Sequence, residues 1–101
     1  MNHSGYAFAT NMLMDNRRPV RFMYREAAAG QDSGWRFFCG DEDQAYADNP
    51  GNLVLCSIQD ILDIDPSVRP FLSAMPPAAF ERENEAEPFV CTDFTFEPEE
   101  Y

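Results

Sequence analysis

The residues with the most chemical potential lie between Asp41 and Asn52, where Asp41, Glu42, Asp43 and Asp48 stand close together. Carboxylates at this spacing can ligate calcium, move protons or attract a cationic partner. The calcium option begins well, since Asp41 and Asp43 match the first and third positions of an EF-hand loop. It then fails. The fifth position is Ala45, the sixth is Tyr46 where the sharp turn needs glycine, and the twelfth is Asn52 where a bidentate Glu is required. No metal and no other cofactor is expected. Acid–base catalysis by paired carboxylates stays open, but 18 acidic side chains single out no particular pair. His3 is the only histidine and sits near the start of the chain, so a histidine-centred dyad, triad or multi-His metal site has no centre. Neither familiar glycine-rich phosphate loop occurs.

Cys39, Cys56 and Cys91 are odd in number and lack metal-ligand spacing. Each adjoins apolar residues, as in Phe37-Phe38-Cys39 and Leu53-Val54-Leu55-Cys56, so buried free thiols in a reducing compartment are expected. Tyr24, Trp35, Phe37 and Phe38 lie near Arg21, Arg25 and Arg36, a mixture that could stack nucleic-acid bases. The net charge of −11 opposes that reading and favours an aromatic core.

The charge is unevenly distributed. Residues 1–38 hold five Arg and three acids, whereas residues 39–101 hold two Arg and fifteen acids; there is no Lys. Such a chain should be repelled by phosphate backbones and anionic membranes, so neither nucleic acid nor membrane is expected, and a charged partner should be basic. The same acidity could also serve solubility alone. There is no secretory-signal pattern and no apolar run near the ~20 residues of a membrane span, which makes the cytoplasm the expected location.

These residues must be positioned by one domain spanning residues 1–101, because 45% hydrophobic and 14% aromatic content suffices for a core without staples. Alternation predicts strands over Tyr6–Met14 and Val20–Arg25, joined as a hairpin through a turn at Asp15–Pro19. In the second strand Val20, Phe22 and Tyr24 form the apolar side. A loop over Ala28–Gly34 leads to an aromatic strand, Trp35–Cys39, ended by Gly40. The acidic stretch Asp41–Asn52 reads as a loop with room for one helical turn. Leu53–Cys56 reads as a short buried strand.

Ser57 with Asp60 predicts a helix start, with Ile58, Ile61 and Leu62 as its apolar stripe. Asp65-Pro66 predicts a second start, with Val68, Phe71 and Leu72 facing inward; Pro70 keeps it short and Pro76-Pro77 stops it. Ala78–Arg82, with Phe80 inward, and Phe89–Phe96 complete the strands, and residues 97–101 form a frayed acidic tail. The fold class is α+β, with a mostly antiparallel sheet of about five strands and two short helices.

Several segments resemble a bacterial family: Phe22-Met23-Tyr24-Arg25-Glu26, Asp32-Ser33-Gly34-Trp35-Arg36-Phe37-Phe38, Gly40-Asp41-Glu42-Asp43, Asp48-Asn49-Pro50-Gly51-Asn52, Ile64-Asp65-Pro66-Ser67 and Ala79-Phe80-Glu81-Arg82. It is the thirty-third type of immunity protein of polymorphic toxin systems, first catalogued as a domain of unknown function. The resemblance spans roughly residues 7–83. It implies an α+β domain that binds and neutralises a toxin made by its own or a kin cell. It carries over no catalytic residue.

Beside the resemblance stands a physical reading. Trp35 and Phe37 share one strand face and Arg36 and Phe38 the other, so at least one face is core. Asp41, Glu42 and Asp43 should then emerge together into solvent. With Tyr46 and Asp48 they form the candidate partner-binding set, a negative patch able to steer a basic toxin surface. The competing reading has Asp41–Asp48 capping local turns and pairing with Arg17, Arg25 or Arg36. A non-enzymatic binding protein is the preferred function; a small carboxylate enzyme or ligand-binding domain built beside Trp35 and Tyr46 is the alternative. A carboxylate with a raised pKa in a pocket would favour the enzyme.

Overall fold

A computed structural model describes residues 5–92. The chain begins as strand β1 (Tyr6–Thr10), and Thr10 ends it. Its hydroxyl accepts a hydrogen bond from the Leu13 amide at 3.2 Å, capping helix α1 (Asn11–Asn16). The strand expected to continue to Met14 is therefore cut at Thr10. Within β1, Ala7, Ala9 and Thr10 are fully buried while Tyr6 is exposed.

Helix α1 prevents the expected hairpin. Strands β2 (Phe22–Arg25), β3 (Asp32–Phe38), β4 (Leu53–Ser57), β5 (Ala78–Glu81) and β6 (Val90–Cys91) join β1 in one sheet of order β4-β1-β3-β2-β5-β6. The first two strands are not neighbours. β1 runs parallel to β3, pairing Phe8 with Arg36 and Ala9 with Phe37, and the other strand pairs are antiparallel. The hairpin is instead β2–β3, with Phe22 opposite Phe38 and Arg25 opposite Trp35. At its base the Glu26 amide donates to the Gly34 carbonyl at 3.0 Å. Gly34 has φ +88, and a Cβ there would lie 2.0 Å from the Glu26 oxygen, so this crossing admits only glycine.

Between β3 and β4 lie helix α2 (Gln44–Asp48) and a 3₁₀ turn (Pro50–Asn52). After β4 comes helix α3 (Ile58–Ile64), opened by a full capping box between Ser57 and Asp60. A 3₁₀ helix (Pro66–Phe71) follows, capped by Asp65. Its tight winding accommodates Pro70, which an α-helix interior would not. Ile58, Ile61, Leu62, Val68 and Leu72 are buried with Trp35, Phe37 and Met23 in one core. Phe80 packs against it, 4.9 Å from the Phe71 ring and 6.3 Å from Trp35.

Three expectations about faces are corrected. Met23, not Phe22 and Tyr24, is the core residue of β2; the two aromatics lie half-buried on the opposite face. β4 is an edge strand, and Leu55 on it is 57% exposed, so it is not a buried strand. Cys91 is exposed, while Cys39 and Cys56 are the buried thiols. The strand expected over Phe89–Phe96 is β6, and its part beyond residue 92 lies outside the described residues, as do His3 and the tail at 97–101.

A second, polar centre locks the far end of the sheet. Arg82 donates to the Asp65 carboxylate at 2.7 Å and to the Val20 carbonyl at 3.0 Å. The same carboxylate accepts from the Val20 amide and from Ser67, and the Arg82 guanidinium lies 4.1 Å from the centre of the Phe89 ring. Buried charges persist only when satisfied in this way.

Candidate functional site

The acidic residues after β3 are set in place by Gly40 and by the short helix α2. Asp41 is exposed and forms ion pairs with Arg18 and, at 3.5 Å, with Arg21. These are not the arginines that the sequence suggested. Arg25 bonds the carbonyls of Ser33, Leu72 and Ala74, and Arg36 bonds Asp32 and Glu26.

Glu42 turns inward, contrary to the expectation that three carboxylates emerge together. Its Oε2 accepts from the Thr10 hydroxyl at 2.5 Å and from the Cys39 amide at 2.9 Å, and its Oε1 accepts from the Gly40 amide at 2.8 Å. Burial pushes its pKa up, but these hydrogen bonds outweigh burial and hold it below the ordinary value. Glu42 thus ties the acidic loop to the end of β1.

Asp43 is exposed and caps α2 by accepting from the Tyr46 amide at 2.8 Å. Tyr46 is half-buried, and its hydroxyl accepts from the Met12 amide at 3.0 Å, pinning α2 to α1. Asp48 is exposed and accepts from the Gln44 side chain at 2.8 Å. The capping and pairing of the competing reading are present, with Arg18 and Arg21 as the arginines. Asp41 and Glu42 serve local structure, whereas Asp43 and Asp48 bond neutral donors and join no ion pair among the described residues.

Asp43 and Asp48 stand on the rim of an open groove of about 500 Å³ whose other walls include Phe22, Tyr24 and Phe38. The three rings form a continuous floor: their centroids lie 5.5 to 6.0 Å apart, and Tyr24 and Phe38 stack at 21°. Sequence reasoning missed this floor by placing the aromatics of β2 in the core. The available signal was that Phe22, Tyr24 and Phe38 must share a face once β2 and β3 pair. Burial first, then the nearby Glu26 charge, push the Tyr24 phenol up to about 12, so it stays neutral.

A larger open concavity, about 980 Å³, is bordered by Tyr6, Arg25, Glu26, Asp32, Ser33 and Pro76 among others. Its charged side chains are committed: Asp32 and Glu26 hold Arg36, and Arg25 is held by backbone carbonyls. The hydrogen bond from Arg36 brings the Asp32 pKa down. Among the described residues, no group of three or more His, Cys, Asp and Glu could hold a metal ion, and no helix is long and apolar enough to cross a membrane.

Comparison with known proteins finds no curated protein and no solved structure that matches. The model of the Immunity protein Imm33 domain matches residues 7–92, which takes in β1 from Ala7 onward, the other five described strands, the acidic loop and the Asp65–Arg82 centre. The chain belongs to the Imm33 immunity-protein family.

Proposed function

We propose that this chain is a cytoplasmic, non-enzymatic immunity protein that binds and neutralises a cognate basic toxin through the acidic surface around Asp41, Asp43, Tyr46 and Asp48. The observation that carries the reading is family membership across residues 7–92. The chemistry of the surface supports it. Asp43 and Asp48 keep their charge uncompensated by any described cation, as steering and pairing with Lys or Arg require. The carboxylates with displaced pKa values, Asp32 and Glu42, are both displaced downward. Neither shift is the upward one that a carboxylic proton donor needs.

The test is co-expression with a candidate toxin drawn from the genes that neighbour this one, in cells that the toxin kills. Restored growth, together with a stable complex of the two purified proteins, is the expected result. Cells that die at the same rate with and without this chain would refute the reading.

A further inference from the structure

We infer that the outer edge of β4 is a docking site for an extended, basic segment of the partner protein, which joins the sheet as a further antiparallel strand beside Leu55. This rests on the reading of the chain as a toxin-binding protein and names a second element by which the toxin is gripped.

The register shows which backbone groups face outward. The Ile58 amide donates to the Gly5 carbonyl at 3.3 Å, and antiparallel pairs alternate between bonded and non-bonded. Cys56 and Val54 therefore exchange their bonds with Ala7 and Ala9. Leu53, Leu55 and Ser57 turn their N–H and C=O groups away from β1. The ends of this row are used locally. The Leu53 amide donates to the Pro50 carbonyl, and the Ser57 amide donates to the Asp60 carboxylate at 3.1 Å. Among the described residues, nothing bonds the N–H or C=O of Leu55 or the C=O of Leu53. An antiparallel strand matches these three groups: one residue exchanges both bonds with Leu55, and the residue two places on donates to the Leu53 carbonyl.

The side chains beside these groups suit an apolar strand. Leu55 stands opposite Phe8 yet is 57% exposed, and Tyr6 on the same face is 43% exposed. Proteins usually close a free edge with a charge, a proline or a bulge. Leu53–Ser57 contains no charge and no proline, and its pairing with β1 runs without a bulge.

Charge selects the occupant. Residues 37–68 hold seven acids and no basic residue. Asp48 before β4, and Asp60 and Asp63 after it, are exposed. A segment with apolar residues at its centre and Arg or Lys at its ends complements both the strand and its flanks. A second copy of this chain would pair the apolar strands but set the same acids against one another.

The first experiment titrates the full chain with the capped peptide Arg-Thr-Val-Thr-Val-Thr-Arg, followed by amide NMR. Two further peptides carry N-methyl groups. One is methylated on both valines, whose N–H groups meet Leu55 and Leu53; the other is methylated on the central threonine, whose N–H points away. The expected result is shifts centred on residues 53–57, binding weakened about tenfold by methylation of the valines, and no weakening by methylation of the threonine. Shifts centred elsewhere, or equal binding by the two methylated peptides, would overturn the edge site. Glutamate in place of both arginines should abolish binding, and retained binding would overturn the basic occupant. Sedimentation of the free chain should show a monomer. A dimer that Leu55→Lys disperses would mean that a second copy takes the edge, which overturns the proposal.

The second experiment measures growth protection against a candidate toxin from the neighbouring genes by wild type, Leu55→Val and Leu55→Lys. Protection by wild type and Leu55→Val that fails in Leu55→Lys, with melting temperatures unchanged, supports the edge. Full protection by Leu55→Lys overturns the edge and leaves the immunity reading standing. No protection by wild type overturns both.

Discussion

The guanidinium of Arg82 and the carboxylate of Asp65 meet at 2.7 Å, with only 3% and 9% of their side-chain surfaces exposed. Through Val20 and Ser67 this pair joins the entry to β2, the 3₁₀ helix and the end of β5. It gives a physical reason for two segments of the resemblance, Ile64-Asp65-Pro66-Ser67 and Ala79-Phe80-Glu81-Arg82: each supplies one half of a buried ion pair. Arg82→Met should lower stability by about 3–5 kcal/mol, because it leaves the Asp65 charge buried and uncompensated. Urea unfolding monitored by circular dichroism checks this; an unchanged midpoint would show that the pair contributes nothing.

Much of the fold is legible locally. Ser57 with Asp60, and Asp65 with Pro66, announce their helices because caps act within three residues of themselves. Trp35 and Phe37 announce a core because their strand alternates. What stays hidden is long-range. Tyr6–Met14 alternates like one strand, and only the turn of chain at Thr10 divides it. Which face of β2 is core depends on its pairing with β3 and β5, which places Met23 between Phe37 and Phe80. Period-two alternation cannot choose between two faces when both carry aromatics. The groove was invisible for that reason. Likewise, the inward turn of Glu42 depends on Thr10, 32 residues away.

Trp35 is 1% exposed, stacks on Phe37 at 5.9 Å and donates its indole N–H to the Leu72 carbonyl at 3.3 Å. Trp35→Ala should remove about 3–5 kcal/mol, the range for deleting a buried large aromatic. Wild-type fluorescence should peak at the short wavelengths of a buried indole. A water-like emission maximum with an unshifted melting temperature in the variant would contradict the packing.

Glu42 gives a pH dependence. Its folded pKa lies below the ordinary value of 4.5, so the ionised form stabilises the fold above that value. The contribution is lost as pH falls through the lower, folded value. Asp32 adds to the same trend. Glu42→Gln should be less stable at pH 7 by about 1–3 kcal/mol, the worth of hydrogen bonds to a charged group. Its stability should then fall less steeply than wild type below about pH 5, with the two curves converging in acid. Parallel curves from pH 7 to pH 3 would contradict the role of Glu42.

The thiols should divide one to two. Cys91 is exposed and should react promptly with an aromatic disulfide reagent under native conditions. Cys39 and Cys56 are buried, and burial pushes the Cys56 thiol up to about 11, so little thiolate is available to react. One fast equivalent followed by two that appear only on denaturation is the expected trace; two fast equivalents would show that the core thiols are accessible.

The acidic loop should steer the partner unequally along its length. Asp41 is largely neutralised by Arg18 and Arg21, whereas Asp43 and Asp48 bond only neutral donors. Steering acts through net field, so the rate should follow the number of charges removed. Asn at positions 43 and 48 together should therefore slow association with the toxin by about tenfold at low salt and flatten its salt dependence. Asp41→Asn alone should change the rate less, because it removes one charge where the double variant removes two. Rim charges act mainly on association, so the dissociation rate should change less than the association rate. Stopped-flow measurements at several salt concentrations check both. An Asp41→Asn variant that slows association as much as the double variant would contradict steering by the net field of this loop.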